Sequence, residues 1–147
     1  MSSILRALVA TDLGIIPIEY ITPRNNVLTS TGFSKVKNVF KTVVQKVLRI
    51  QTDDGDLFCT PDLLLAVRSD EEGSIQGSID ESFSEKNSIE WIEAKELQRY
   101  HKLLRAPVNT SSTIINIDLL LEISTNIHLE VEGNNEYYRN GFLSKHK

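Results

Sequence analysis

Leu48, Ile50, Phe58 and Leu64 each have an apolar counterpart 79 residues further along the chain, in Ile127, Leu129, Tyr137 and Leu143 (48 to 127, 50 to 129, 58 to 137, 64 to 143). The turn repeats as well, with Asp53, Asp54 and Gly55 standing opposite Glu132, Gly133 and Asn134. An internal repeat of this length points to two copies of one supersecondary unit. A chain of 147 residues is too short for two ordinary domains. The expectation is therefore one domain over 1–147, built as a pseudo-symmetric pair of β subunits.

The local patterns say which elements repeat. Residues 8–21 read LVATDLGIIPIEYI, two short apolar runs split by Asp12, Leu13 and Gly14. That is a hairpin pattern, and Pro17 places it near a sheet edge because proline cannot donate to a central ladder. Over 36–48 the β-branched Val36, Val39, Val43, Val44 and Val47 favour strand over helix. Asp53, Asp54 and Gly55 then read as a tight hairpin turn between apolar flanks. Residues 69–88 (SDEEGSIQGSIDESFSEKNS) are acidic, rich in serine and glycine and poor in large apolar side chains, which predicts a surface loop. Residues 93–98 are the best candidate for a short helix, and strand patterning returns over 113–143. The predicted class is all-β with little helix.

Charge and cysteine usage exclude several functions. A net charge of −4 argues against a general electrostatic grip on nucleic acid or anionic lipid. One local basic stripe, Lys35, Lys37, Lys41, Lys46 and Arg49, reads as a solvated strand face. The single cysteine, Cys59, cannot form an internal disulfide or anchor a zinc site, so a reducing, cytoplasmic location is expected, with no metal and no cofactor. Arg6, Asp12 and Glu19 interrupt the apolar runs of 1–20, which reads as neither a secretory signal nor a membrane span. No phosphate loop, HExxH or nucleophile elbow is found.

Four ordered segments carry a resemblance. Residues 8–21 resemble the opening block of inteins. Residues 32–62 (GFSKVKNVFKTVVQKVLRIQTDDGDLFCTPD) resemble the strands leading into their second block. Residues 89–107 (IEWIEAKELQRYHKLLRAP) are similar to the segment that re-enters the fold after the endonuclease insertion point, and 127–143 (IHLEVEGNNEYYRNGFL) to the closing blocks. The resemblance implies the horseshoe of β-strands shared by inteins and hedgehog processing domains (the Hint family). Both chain ends then meet at one site. With only 69–88 at the insertion point, it implies a mini-intein without a homing endonuclease.

The same resemblance assigns the site position by position. Splicing starts with a first-residue nucleophile that converts an amide into an ester or thioester; Ser2 or Ser3 stands there. Both serines also read as a plain polar start to the chain. The second block pairs a threonine with a histidine three residues later, which protonates the leaving nitrogen. Thr60 is present, but Leu63 holds the histidine position. Thr60 reads equally as the closing residue of a turn before Pro61. His128 stands where the closing blocks carry an aspartate, and Asn135 where they carry a histidine. His146 resembles the penultimate histidine displaced by one residue, and no terminal asparagine is there to cyclise. The resemblance thus implies a splicing-type autoprocessing domain, acting on its flanking polypeptide if active, with key groups replaced. The alternative is an inactive scaffold reused to bind a protein partner, monomeric in either case and bound to neither nucleic acid nor membrane.

Overall fold

The computed structural model describes residues 3–68, 89–107 and 110–146, with side chains from Leu5 onward. Ser2, Lys147 and the predicted loop over 69–88 lie outside the described residues. The strands are β1 Ser3–Ile4, β2 Leu8–Thr11, β3 Gly14–Pro17, β4 Asn26–Thr29, β5 Gly32–Thr52 and β6 Gly55–Cys59. They continue with β7 Leu64–Arg68, β8 Ile89–Glu93, β9 Lys102–Arg105, β10 Thr110–Val131, β11 Glu136–Arg139 and β12 Phe142–Lys145. The all-β expectation holds.

The sheet closes on itself. Starting from β10, the hydrogen-bonded path runs through β5, β4, β2, β11, β12 and β9, and β9 returns to β10. β5 and β10 form its spine, antiparallel from Val131 opposite Val36 to Ile114 opposite Thr52. Each of these strands runs through two separate cores. One core gathers Leu48 and Ile50 from β5 and Ile114 from β10, with Leu57, Leu65, Leu103 and Phe142. The other gathers Val36 from β5 and Ile127, Leu129 and Val131 from β10, with Val9, Ile18, Val27 and Tyr137. Full burial of such a side chain contributes roughly 2 kcal/mol, so the ends of both long strands are fixed by packing.

The cores are copies. Ile18, Ile21 and Val27 occupy in one the places of Ala94, Leu97 and Leu103 in the other, 76 residues apart (18 to 94, 21 to 97, 27 to 103). Leu48 and Ile50 likewise match Ile127 and Leu129 at 79. The spacing drifts because the β9–β10 connection is longer than the β4–β5 turn. After the spine the turns differ again. Thr52 is followed by β6 at Gly55, whereas Val131 is followed by β11 at Glu136. Burial then matches Leu57 with Tyr137 at a spacing of 80, rather than the half-buried Phe58 expected at 79.

Local chemistry explains the elements. Thr52 donates its hydroxyl to the Gly55 carbonyl at 2.8 Å and accepts the Asp54 N–H, closing the hairpin read from Asp53, Asp54 and Gly55. β2 and β3 form the predicted hairpin, with Pro17 at the end of a strand paired only to β2. The helix expected over 93–98 is a single 3-10 turn, Ala94–Glu96. Its N–H groups are taken elsewhere: Ala94 donates to the Leu63 carbonyl at 2.8 Å and Lys95 to the Pro61 carbonyl at 2.9 Å. These first-turn donors tether the segment to the β6–β7 connection, and it closes as 3-10 because the Leu97 N–H reaches back only to the Ala94 carbonyl, at 3.2 Å. No helix among the described residues is long and apolar enough to cross a membrane.

Candidate active site

β10 carries the centre of the site. His128 stands opposite Phe40 across the spine, and their rings stack at 5.1 Å. On its other side His146, which follows β12, lies nearly parallel to His128 with ring centroids 3.7 Å apart and 10° between planes. β1 reaches the same strand from the other end of the chain, pairing parallel with Ser124 and Thr125. Ser3 is opposite Ser124, four residues or roughly 13 Å along the strand from His128. The first and last described segments thus converge on one stretch of β10.

Burial pushes the His128 imidazole down to about 4, with the His146 and Arg139 charges acting in the same direction and Asp62 opposing them. His128 is therefore neutral near pH 7. Its Nδ1 is buried without a hydrogen-bond partner. A neutral ring accepts a proton but carries no imidazolium with which to protonate a leaving nitrogen.

Arg139 is the largest fully buried side chain, 1% exposed. Its Nη1 donates to the Ile127 carbonyl at 3.0 Å and to the Tyr137 hydroxyl at 3.3 Å, and its Nη2 to Asn126 Oδ1 at 3.2 Å. Nε has no partner. The guanidinium braces the segment of β10 that presents His128, without a carboxylate partner among the described residues. Its charge also reaches Cys59, whose thiol burial pushes up to about 12 while Arg139 opposes the shift and Asp62 adds to it. A thiol held that high is not a nucleophile at neutral pH.

The remaining predicted positions separate into those near this centre and those away from it. Thr60 is buried and its carbonyl accepts the Leu63 N–H at 3.2 Å, closing the turn that also carries Asp62. That turn lies close enough for the Asp62 carboxylate to act on His128. Leu63 faces away into the first core, among Leu65, Ala94 and Leu97. Asn135, in the left-handed region at φ 61°, accepts the Val131 N–H through Oδ1 at 2.7 Å and closes the β10–β11 turn. A shallow cavity of about 90 Å³ lies at that turn, lined by Thr29, Thr31, Ser34, Glu132, Asn134 and Glu136, apart from the histidine stack. Among the described residues no group of three or more His, Cys, Asp and Glu side chains is placed to hold a metal ion.

Sequence reasoning missed Arg139 and Phe40. Arginine is seldom buried, so Arg139 reads as a surface residue. Its one signal is position: at the spacing of 80 set by Leu57 and Tyr137, it is the counterpart of Cys59 (59 to 139).

No protein-family profile matches the chain, and neither does any curated protein. Solved structures do. The crystal structure of the gp41-1 intein matches at 24% identity and a TM-score of 0.74, covering 98% of this chain and 97% of that one. A bacterial intein-like domain from Clostridium thermocellum matches at 16% identity and a TM-score of 0.76, covering 100% and 99%. The DnaX mini intein from Spirulina platensis matches at 21% identity and a TM-score of 0.69, covering 99% of each chain. The chain has the fold of inteins and intein-like domains, the Hint horseshoe, at the size of a mini-intein.

Proposed function

We propose that this chain is one intein-like domain of the protein-splicing type that keeps the scaffold and lacks the groups that splice. The observation that carries this reading is Leu63. It holds the position where the intein pattern has its proton-donating histidine, and it is packed into an apolar core. His128 supports the same reading, since a half-buried imidazole pushed down to about 4 replaces an aspartate with a group that is uncharged at neutral pH. Losing one general acid or base typically costs on the order of a hundred- to ten-thousandfold in rate, and here several are replaced at once. Were any reaction to survive, its polypeptide partner would be a flanking chain, and the domain works as a cytoplasmic monomer without cofactor or metal.

The test is an intact-mass measurement of the domain fused between two folded tags at neutral pH. The fusion is expected to stay whole. Ligated tags would overturn the reading, and slow release of the upstream tag alone would identify a surviving serine acyl shift. A second reading, an inactive scaffold that binds a protein partner, is favoured by the unpaired edge of β5.

A further inference from the structure

β5 is paired along its outer edge only at its ends. β4 takes Gly32, Phe33, Ser34 and Lys35, and β6 takes Leu48 through Thr52. Residues 37–47 have β10 on one side and no strand on the other among the described residues. A bare edge of this length presents a row of unpaired N–H and C=O groups, a ready template for an added strand.

The fold itself supplies the precedent. On the pseudo-symmetric partner strand, β10, the equivalent outer edge is occupied: β1 adds in parallel at Ser124 and Thr125. Stepping back by the 79-residue repeat brings Ser124 and Thr125 to Gln45 and Lys46 (124 to 45, 125 to 46), inside the open stretch near its C-terminal end. The same edge is thus filled in one half and vacant in the other.

The chemistry of the vacant edge selects its occupant. β5 contains Lys35, Lys37, Lys41, Lys46 and Arg49 and no acidic residue. Lys37 is 3.8 Å from Glu130 and Arg49 2.9 Å from Asp56, but Lys35, Lys41 and Lys46 have no acidic partner among the described residues. Between the lysines, Phe40 and Val43 are 44% and 70% exposed. Like charges set a second basic β5 against this edge, which disfavours pairing of two copies through it. An extended chain that alternates acidic and apolar side chains satisfies both the backbone row and the lysines.

We propose that the edge of β5 over 37–47 docks an extended, acidic segment of a partner protein as an additional strand. The bond is main-chain pairing, and the lysines set the sign of charge accepted. This does not depend on whether any splicing reaction survives.

The experiment uses the full chain and two capped ten-residue peptides, one alternating glutamate with valine and one alternating lysine with valine. Amide shifts and hydrogen exchange are followed by NMR. The glutamate peptide is expected to shift and protect amides within 37–47, with affinity falling as salt rises, while the lysine peptide leaves them unchanged. Lys41→Glu with Lys46→Glu weakens binding by about tenfold or more. Both positions are exposed, so the fold should persist, and the milder Lys41→Gln with Lys46→Gln gives the same direction of change. The proposal is overturned if neither peptide moves those amides at millimolar concentration, if both bind equally, or if the charge-reversed variant binds as well as the parent.

Discussion

The two halves of the molecule agree in their cores and disagree at their meeting point. Ile50 and Leu129 are each completely buried, one in each core, on matching positions of the two spine strands. Two residues past Leu57 and Tyr137 the halves diverge: the first places Cys59, a buried thiol, and the second places Arg139, a buried guanidinium. Around Cys59 the first half offers Thr60 and Leu63. Around Arg139 the second offers two stacked imidazoles. The duplicated part of the sequence is what packs, and the asymmetric part is what touches the centre. Leu63 crosses that division, since it holds a family site position and packs into the first core, whereas His128 and Asn135 belong to neither core.

The comparison breaks most visibly if the cores are not equivalent. Ile50→Ala and Leu129→Ala should each destabilise by about 3–4 kcal/mol, as expected for truncating a fully buried aliphatic side chain. Chemical denaturation checks this, and a gap of more than about 1.5 kcal/mol between them would show that one core dominates. At the meeting point the halves should differ. Arg139→Met strands the Ile127 carbonyl and the Asn126 side chain, costing about 2–3 kcal/mol, whereas Cys59→Ala should cost about 1 kcal/mol. Equal losses in the same denaturation series would remove the asymmetry argued above.

A smaller effect is set by pH. The folded His128 titrates near 4 against its usual 6.5, so between these values the unfolded chain binds more protons. Its contribution to stability is complete above about pH 6.5 and is lost progressively as pH falls toward 4. His128→Phe, which keeps a ring against Phe40 and His146, should flatten that part of the curve in thermal unfolding measured at several pH values. An unchanged slope would assign the pH dependence to other groups. Smallest of all, replacing 69–88 with a short glycine and serine linker should move the thermal midpoint by no more than about 2 °C, because its composition provides little apolar surface to bury. A larger drop would mean that Ile75, Ile79 and Phe83 pack on the core.

What was legible in the sequence follows from the range of the forces involved. Hairpins closed by Thr52 and Gly55, or by the glycine-containing run at 12–14, are written locally and were readable. β5 reads short, as 36–48 rather than Gly32–Thr52, because the run of valines that marks it spans only Val36 to Val47, while pairing with β4 and β6 extends the strand at its two ends. The helix expected over 93–98 is one 3-10 turn, tethered at its start to Leu63 and Pro61 some thirty residues earlier in the chain, contacts that the local pattern does not show. At the site, the stack of His128 on His146 depends on β12 returning beside β7 and β9, which no local pattern encodes. Arg139 was invisible for a different reason: its hydrogen bonds run to a backbone carbonyl, a tyrosine hydroxyl and an asparagine, so no carboxylate in the sequence announces it.

The central claim is that the scaffold remains while the reacting groups are gone, and one side-by-side measurement addresses it most directly. Intact masses are followed over time for two fusions between folded tags. One carries the domain as it is, and the other carries Leu63→His, His128→Asp and Asn135→His with a first-residue cysteine and a His-Asn ending. The account predicts that the first fusion stays whole while the second releases at least one tag. Ligated tags from the unmodified domain would contradict it.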